Sequence, residues 1–142
     1  MRNPERLLVW LLRLFGASTL IALGAVFMPH DWMNLIHQRL GMGELPHLPI
    51  VGYLTRSISA LYALHGALLI FLSMDVRRYL PLVRFLGAAS AVMGVLLLGL
   101  DLAVGMPVFW TVAEGPPVVA LGIVILVLAR RVKGWTPTSS TE

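Results

Sequence analysis

Cysteine is missing from this sequence altogether. That excludes structural disulfides, thiol redox chemistry, thiolate–metal ligation and an iron–sulfur cluster held by the chain itself. Charge is scarce as well: 13% of the 142 residues are Asp, Glu, Lys or Arg, roughly half of what a soluble domain carries. There is no glycine-rich phosphate loop, nucleophile elbow, metal-protease motif or internal repeat. No reaction is therefore written into the chain as a recognisable motif.

Apolar residues fill the space that charge leaves. They make up 58% of the chain, and the mean hydropathy is +0.83. A chain of this size cannot hide so many apolar side chains in one small core, so the surplus is expected to face lipid. A net charge of +4 and a pI near 10.4 could suggest nucleic acid. The basic residues, however, gather at the ends of apolar runs, which points to a membrane and excludes a nucleic-acid partner.

Four apolar runs follow one another: Leu7 to Met28, Tyr53 to Ser73, Phe85 to Met106, and Pro107 to Ala129. About 20 helical residues at 1.5 Å each cross a hydrocarbon core of about 30 Å. Lipid offers no partner to an open backbone N–H or C=O, so each run is expected to be helical. The fold class is all-α, an integral membrane four-helix bundle forming one domain over residues 1–135. Thr136 to Glu142 is polar and expected to be disordered. A cleaved signal peptide ending near Ala22-Leu23-Gly24 is the alternative for the first run. Arg13 interrupts its apolar stretch, and an amphipathic segment follows Pro29 at once, so an uncleaved helix is the favoured reading.

Orientation follows from the basic residues. Arg2, Arg6 and Arg13 lie at the amino end, Arg77, Arg78 and Arg84 between runs two and three, and Arg130, Arg131 and Lys133 after run four. Nine of the eleven thus fall on one side, leaving Arg39 and Arg56 for the other. The positive-inside bias puts both termini in the cytoplasm. Between the first two spans, Asp31 to Leu40 sets Trp32, Ile36 and Leu40 on one helical face, with Gly41 placed to end the helix. This reads as a short helix in the outer interface.

Small residues mark helix contacts: Gly87, Ser90, Ala91 and Gly94 in the third span, and Gly16, Ala17, Ser18, Gly24 and Ala25 in the first. The polar residues inside the spans are fewer and more informative. Arg56, Ser59, Tyr62 and His65 recur at i, i+3 on the second span and wind around it by about 60° per step. Asp101 lies about one turn from the outer end of the third span, and Glu114 early in the fourth. A lone charge in hydrocarbon costs roughly 2.5–3.5 kcal/mol on insertion scales. One guanidinium can serve two carboxylates, so Arg56 is expected to face Asp101, Glu114 or both. Such a cluster is either a proton, ion or ligand site or a structural clamp, the clamp being the blander reading.

His65 invites a haem hypothesis, but His30, His47 and His37 all lie in the outer connection. An intramembrane bis-histidine pair within one chain is thus unavailable, leaving a single axial ligand or a cofactor shared between subunits. A histidine bonded to Tyr62 or to a neighbouring helix is favoured, and no cofactor is expected. The outer histidines with Asp31 and Glu44 match no particular zinc framework, so no metal site is assigned. Glu114-Gly115-Pro116-Pro117 interrupts the fourth run. Because Pro disfavours α geometry in the residue before it, a broken span is expected there, with its main helix starting near Pro116 beside a polar cavity.

Arg13, Phe15, Gly16 and Gly24 at the start of span one, four spans and a basic cytoplasmic turn resemble the small DoxX-like bacterial membrane proteins. The resemblance implies a four-helix bundle in the bacterial inner membrane. It carries over no functional residue, and the missing cysteines leave no room for thiol chemistry. The expected function is a subunit, partner-binding or small-ligand- or lipid-binding module without a catalytic motif. Its partners would be the bilayer and other membrane subunits or further copies of itself. The alternative is a membrane enzyme or proton-coupled carrier using Arg56, Asp101, Glu114, Tyr62 and His65.

Overall fold

The computed structural model describes residues 3–133. The carboxyl-terminal tail expected to be disordered, and Arg2, lie outside the described residues. Six helices follow in order: α1 Asn3–Leu20, α2 Leu23–Val26, α3 His30–Arg39, α4 Pro49–Met74, α5 Leu80–Val104 and α6 Val108–Arg131. Among the described residues there is no strand. Four stretches are long and apolar enough to cross a membrane: Asn3–Val26, Pro49–Met74, Leu80–Val104 and Val108–Arg131. The chain is a multi-pass membrane protein by the length and composition of its helices, compatible with a four-helix bundle.

Three of the long helices, α1, α4 and α5, start earlier than the apolar runs alone suggest, for local reasons. Proline lacks the N–H that the first turn of a helix leaves unused, and its φ is already helical. Accordingly Pro49 opens α4 and Pro81 lies in the first turn of α5. Glu5 sits in the first turn of α1, where a carboxylate complements the helix dipole.

Two expectations about helix continuity exchange places. The fourth span is not broken: α6 runs through Glu114, Gly115, Pro116 and Pro117 as one helix of 24 residues. The clash that normally bars α geometry before a proline involves the preceding Cβ, and Gly115 has none. Gly115 is also buried, with the backbone of Gly94 and Leu98 close by on α5. Pro116 and Pro117 are exposed, so their rings and missing donors sit off that contact. Instead the first span is interrupted, after Leu20. Ser18 Oγ donates to the Phe15 carbonyl at 2.8 Å, and Thr19 Oγ1 lies 3.0 and 3.2 Å from the carbonyls of Phe15 and Gly16. Such back-bonding competes with the helical ladder and bends it. The backbone then tightens to i→i−3 bonds, from Ala22 N to Thr19 O at 3.1 Å and from Gly24 N to Ile21 O at 2.9 Å.

The chain divides into two compact units, one made of Leu12–Phe71 and the other of the residues on either side of it. In the flanking unit α5 and α6 pack antiparallel through backbone. A Cβ on Gly122 would lie 2.5 Å from the Gly87 carbonyl and 2.6 Å from the Ala91 nitrogen, and one on Gly94 2.7 Å from the Gly115 carbonyl. Leu8, Leu72, Val76, Leu80, Val83 and Ala129 are the deeply buried apolar side chains of this unit. In the Leu12–Phe71 unit, α1 and α4 meet at Gly16 and Gly66. There an added Cβ on Gly66 would sit 2.5 Å from the Gly16 carbonyl and 2.6 Å from Thr19 Oγ1.

These contacts set opposite signs for one chemical change. Gly66→Ala should destabilise the protein by about 1–3 kcal/mol through overpacking against backbone. Gly24→Ala, whose Cβ meets nothing within 4 Å, should instead gain up to about 1 kcal/mol of helix propensity. Unfolding midpoints of the two variants in the same detergent check this, and a loss at both positions would refute the glycine contact.

Candidate functional site

The connection between α3 and α4 is built to return on itself. Gly41 and Gly43 take φ of 73° and 80°, the left-handed region that glycine occupies without a Cβ penalty. At the end of α3, Gly41 N bonds to the Gln38 carbonyl at 2.9 Å and Met42 N to the His37 carbonyl at 3.1 Å. This is the two-bond closure expected of a glycine after the last turn. The side chains of α3 then hold the returning strand of chain. Asn34 Oδ1 accepts from Leu45 N at 2.8 Å and from Gln38 Nε2 at 3.3 Å, and His37 Nδ1 lies 2.9 Å from the Gly43 carbonyl.

This closure brings His47 back to His30. Their ring centroids are 4.3 Å apart with planes tilted by 58°. Together with Leu48, Pro49, Gly52, Tyr53 and Arg56 they line a cavity of about 290 Å³. The surface facing the cavity is mostly apolar, although two imidazoles, a phenol and a guanidinium belong to its lining residues. His30 Nε2 is buried and has no hydrogen-bond partner among the described residues. A buried polar atom without a partner costs about 1–3 kcal/mol, and this one belongs to a residue that lines the cavity.

Arg56 is held by backbone. Its Nη1 donates to the Gly52 carbonyl at 3.2 Å and its Nη2 to the Met28 carbonyl at 3.0 Å. The second bond has a clear origin: the helix changes direction at Pro29, and the Trp32 N–H that would serve the Met28 carbonyl in a continuous helix bonds to the Pro29 carbonyl at 3.2 Å instead, leaving the Met28 carbonyl in need of a donor. A guanidinium has five N–H groups, so the two bonds leave donors for something else. The remaining residues of the i, i+3 row lie further along α4. Ser59 Oγ donates to the Thr55 carbonyl at 2.8 Å, Tyr62 is exposed, and His65 is half-buried.

Asp101 and Glu114 belong to the other unit. Glu114 accepts from Trp110 Nε1 at 2.6 Å, one turn earlier on α6. Asp101 is buried near the end of α5, and its Oδ2 has no hydrogen-bond partner among the described residues. Its backbone carbonyl is fully used, accepting from Gly105 N and Met106 N where Gly105 turns left-handed at φ 76°. Among the described residues, no three His, Asp or Glu side chains are gathered as a metal site.

The residues that sequence reasoning did not bring together are His30 and His47. They are seventeen positions apart, and only the closure of Asn34 on Leu45 makes them neighbours. The signals that could have found them were Gly41 and Gly43, two glycines bracketing a reversal of the chain. Comparison with protein-family models, with curated proteins and with solved structures finds no match.

Asn34→Ala should open this connection. Losing the bonds to Leu45 and Gln38 should cost about 1–2 kcal/mol locally and speed hydrogen exchange at the Leu45 amide, with α5 and α6 unchanged. Exchange measured by mass spectrometry reads it directly, and an unaltered Leu45 amide would show that Asn34 does not hold the loop.

Proposed function

We propose that this chain is a small-ligand-binding protein of the bacterial inner membrane, DoxX-like in architecture, with both termini in the cytoplasm and the α3–α4 cavity on the outer side. The observation that carries the reading is a cavity lined by both His30 and Arg56, in which His30 keeps a buried Nε2 without a hydrogen-bond partner among the described residues. The combination selects a small molecule with an apolar body and an anionic or hydrogen-bond-accepting end. The apolar part would lie on Leu48 and Pro49. The polar end would meet Arg56 and His30, with Tyr53 and His47 fixing orientation. The short α3 helix, with Trp32 exposed, would lie in the interface and shield the cavity.

A second reading has its own support. A carboxylate at the last turn of a helix opposes the helix dipole, and burial without a hydrogen bond adds a desolvation cost. Asp101 has both features, as an intramembrane proton-carrying group would. In that reading Asp101 serves a proton-coupled carrier or membrane enzyme.

Two experiments test the proposal. Reporter fusions after Arg78 and after Lys133 should read cytoplasmic, and one at Gly43 periplasmic; a cytoplasmic signal at Gly43 would overturn the topology. For the ligand, native mass spectrometry of protein released from mild detergent should show a bound small molecule. His30→Ala and Arg56→Gln should each lose it by tenfold or more, while circular dichroism stays unchanged. Retention of the molecule in both folded variants would remove the cavity as the site. If it is retained there but lost in Asp101→Asn, the Asp101 reading takes its place.

A further inference from the structure

A second cavity lies wholly within the flanking unit and has the opposite chemistry. It measures about 190 Å³ and is lined by Glu5, Arg77, Arg131, Val132 and Lys133. Three cations and one carboxylate give this lining an excess of two positive charges. Arg77 is not a freely swinging side chain. Its Nε donates to Glu5 Oε1 at 3.0 Å and its Nη2 to Glu5 Oε2 at 2.7 Å, the two-pronged geometry that fixes a guanidinium plane. Glu5 in turn is anchored, with its side chain only 10% exposed against 51% for Arg77. The bonds to Glu5, together with its charge, push the Arg77 guanidinium further above its ordinary value. A raised value keeps the cation present at every physiological pH, and its contribution is lost only as pH rises beyond the arginine range.

The end of α6 would ordinarily repel an anion, because its last carbonyls carry partial negative charge. Here Arg84 Nη2 donates to the Ala129 carbonyl at 3.0 Å, and Arg130 and Arg131 occupy the last turn. The helix end is therefore offset by cations. Cations that serve only to orient spans need no fixed arrangement, whereas Arg77 is clamped at the rim of a cavity with three of its five N–H groups uncommitted to Glu5. Val132, buried between Arg131 and Lys133, holds the two flanking cations to that rim.

We propose that this cavity binds a phosphate group, supplied by the headgroup of an anionic phospholipid of the adjoining leaflet. Arg77 presents a fixed pair of donors, and Arg131 and Lys133 close over the phosphate from α6. The site is independent of the α3–α4 cavity, so either can fail without the other.

The test uses the full chain in mild detergent, with bound lipid read by native mass spectrometry over a concentration series. Phosphatidylglycerol should bind in preference to phosphatidylcholine. The double variant Arg131→Gln/Lys133→Gln, whose changed side chains are exposed, should bind phosphatidylglycerol about thirty-fold more weakly, at about fivefold per cation. Arg78→Gln removes a cation of the same turn that does not line the cavity, and should leave the affinity within twofold. If inorganic phosphate saturates the site and the two lipids bind alike, the phosphate chemistry stands and its source is soluble. An undiminished affinity in the double variant, an equal loss in Arg78→Gln, or saturation by neither phosphatidylglycerol nor phosphate would each overturn the proposal.

Discussion

Helices that cross hydrocarbon satisfy their own backbones, but they gain little by burying leucine against leucine, since lipid tails are as apolar as a leucine side chain. What lets these helices hold one another is close approach of backbone to backbone, and the glycines supply it. On the face where α5 meets α6, Gly87, Gly94, Gly115 and Gly122 bring carbonyls and nitrogens to distances at which even one methyl group would collide. Gly16 and Gly66 do the same for α1 and α4. Most large apolar side chains of the spans stay on the outside, with Leu61, Leu64, Leu96 and Leu102 more than half exposed, as side chains meant for lipid would be.

The same contact explains why α6 survives two consecutive prolines. Proline costs a helix about 3 kcal/mol in isolation, partly through its clash with the preceding residue and partly through lost donors. Gly115 lessens the first part for Pro116, though not for Pro117, and at the same time makes the tight contact with α5. The lost donors leave the carbonyls of Val112 and Ala113 without their usual partners, four residues back from each proline, and both residues are exposed. Local propensity favoured a break, and the packing of Gly115 on Gly94 and Leu98 overrode it.

How much of this was legible depends on the range of the interaction concerned. Span number, the α3 helix and its stop at Gly41 follow from hydropathy, a repeat of apolar positions at i, i+4, and one glycine, all local signals. The interruption after Leu20 was hidden because Ser18 read as a small packing residue and Thr19 was given no role, while their hydroxyls are spent on carbonyls of the previous turn. Gly66 and Gly122 were not singled out, and Gly115 was read as part of a break, since a glycine contact has two sides and the sequence shows only one at a time. Of the site, Arg56 was visible as a charge inside an apolar run. The pairing of His30 with His47 was not, because it depends on a side chain of α3 catching the backbone eleven residues later.

Arg56 also shows why clamp and site were a poor pair of alternatives. A buried cation has to be compensated, and a carboxylate is the partner that charge arithmetic suggests first. Backbone carbonyls can serve as well: the Met28 carbonyl has no helical donor, since Trp32 N bonds to the Pro29 carbonyl, and the Gly52 carbonyl lies one turn below Arg56 on its own helix. Two N–H groups directed at these carbonyls are enough to fix the guanidinium plane and to tie the end of the first span to the start of the second. Fixing the plane is what a binding site requires, since an ordered donor loses less entropy when a ligand arrives. The net positive charge is not cancelled by carbonyl oxygens. It remains on a residue that, with His30, lines a mostly apolar cavity. The structural bonds of Arg56 thus create the conditions for recognition, and the same side chain can hold the helices and hold a ligand because its donors outnumber the carbonyls it has to satisfy.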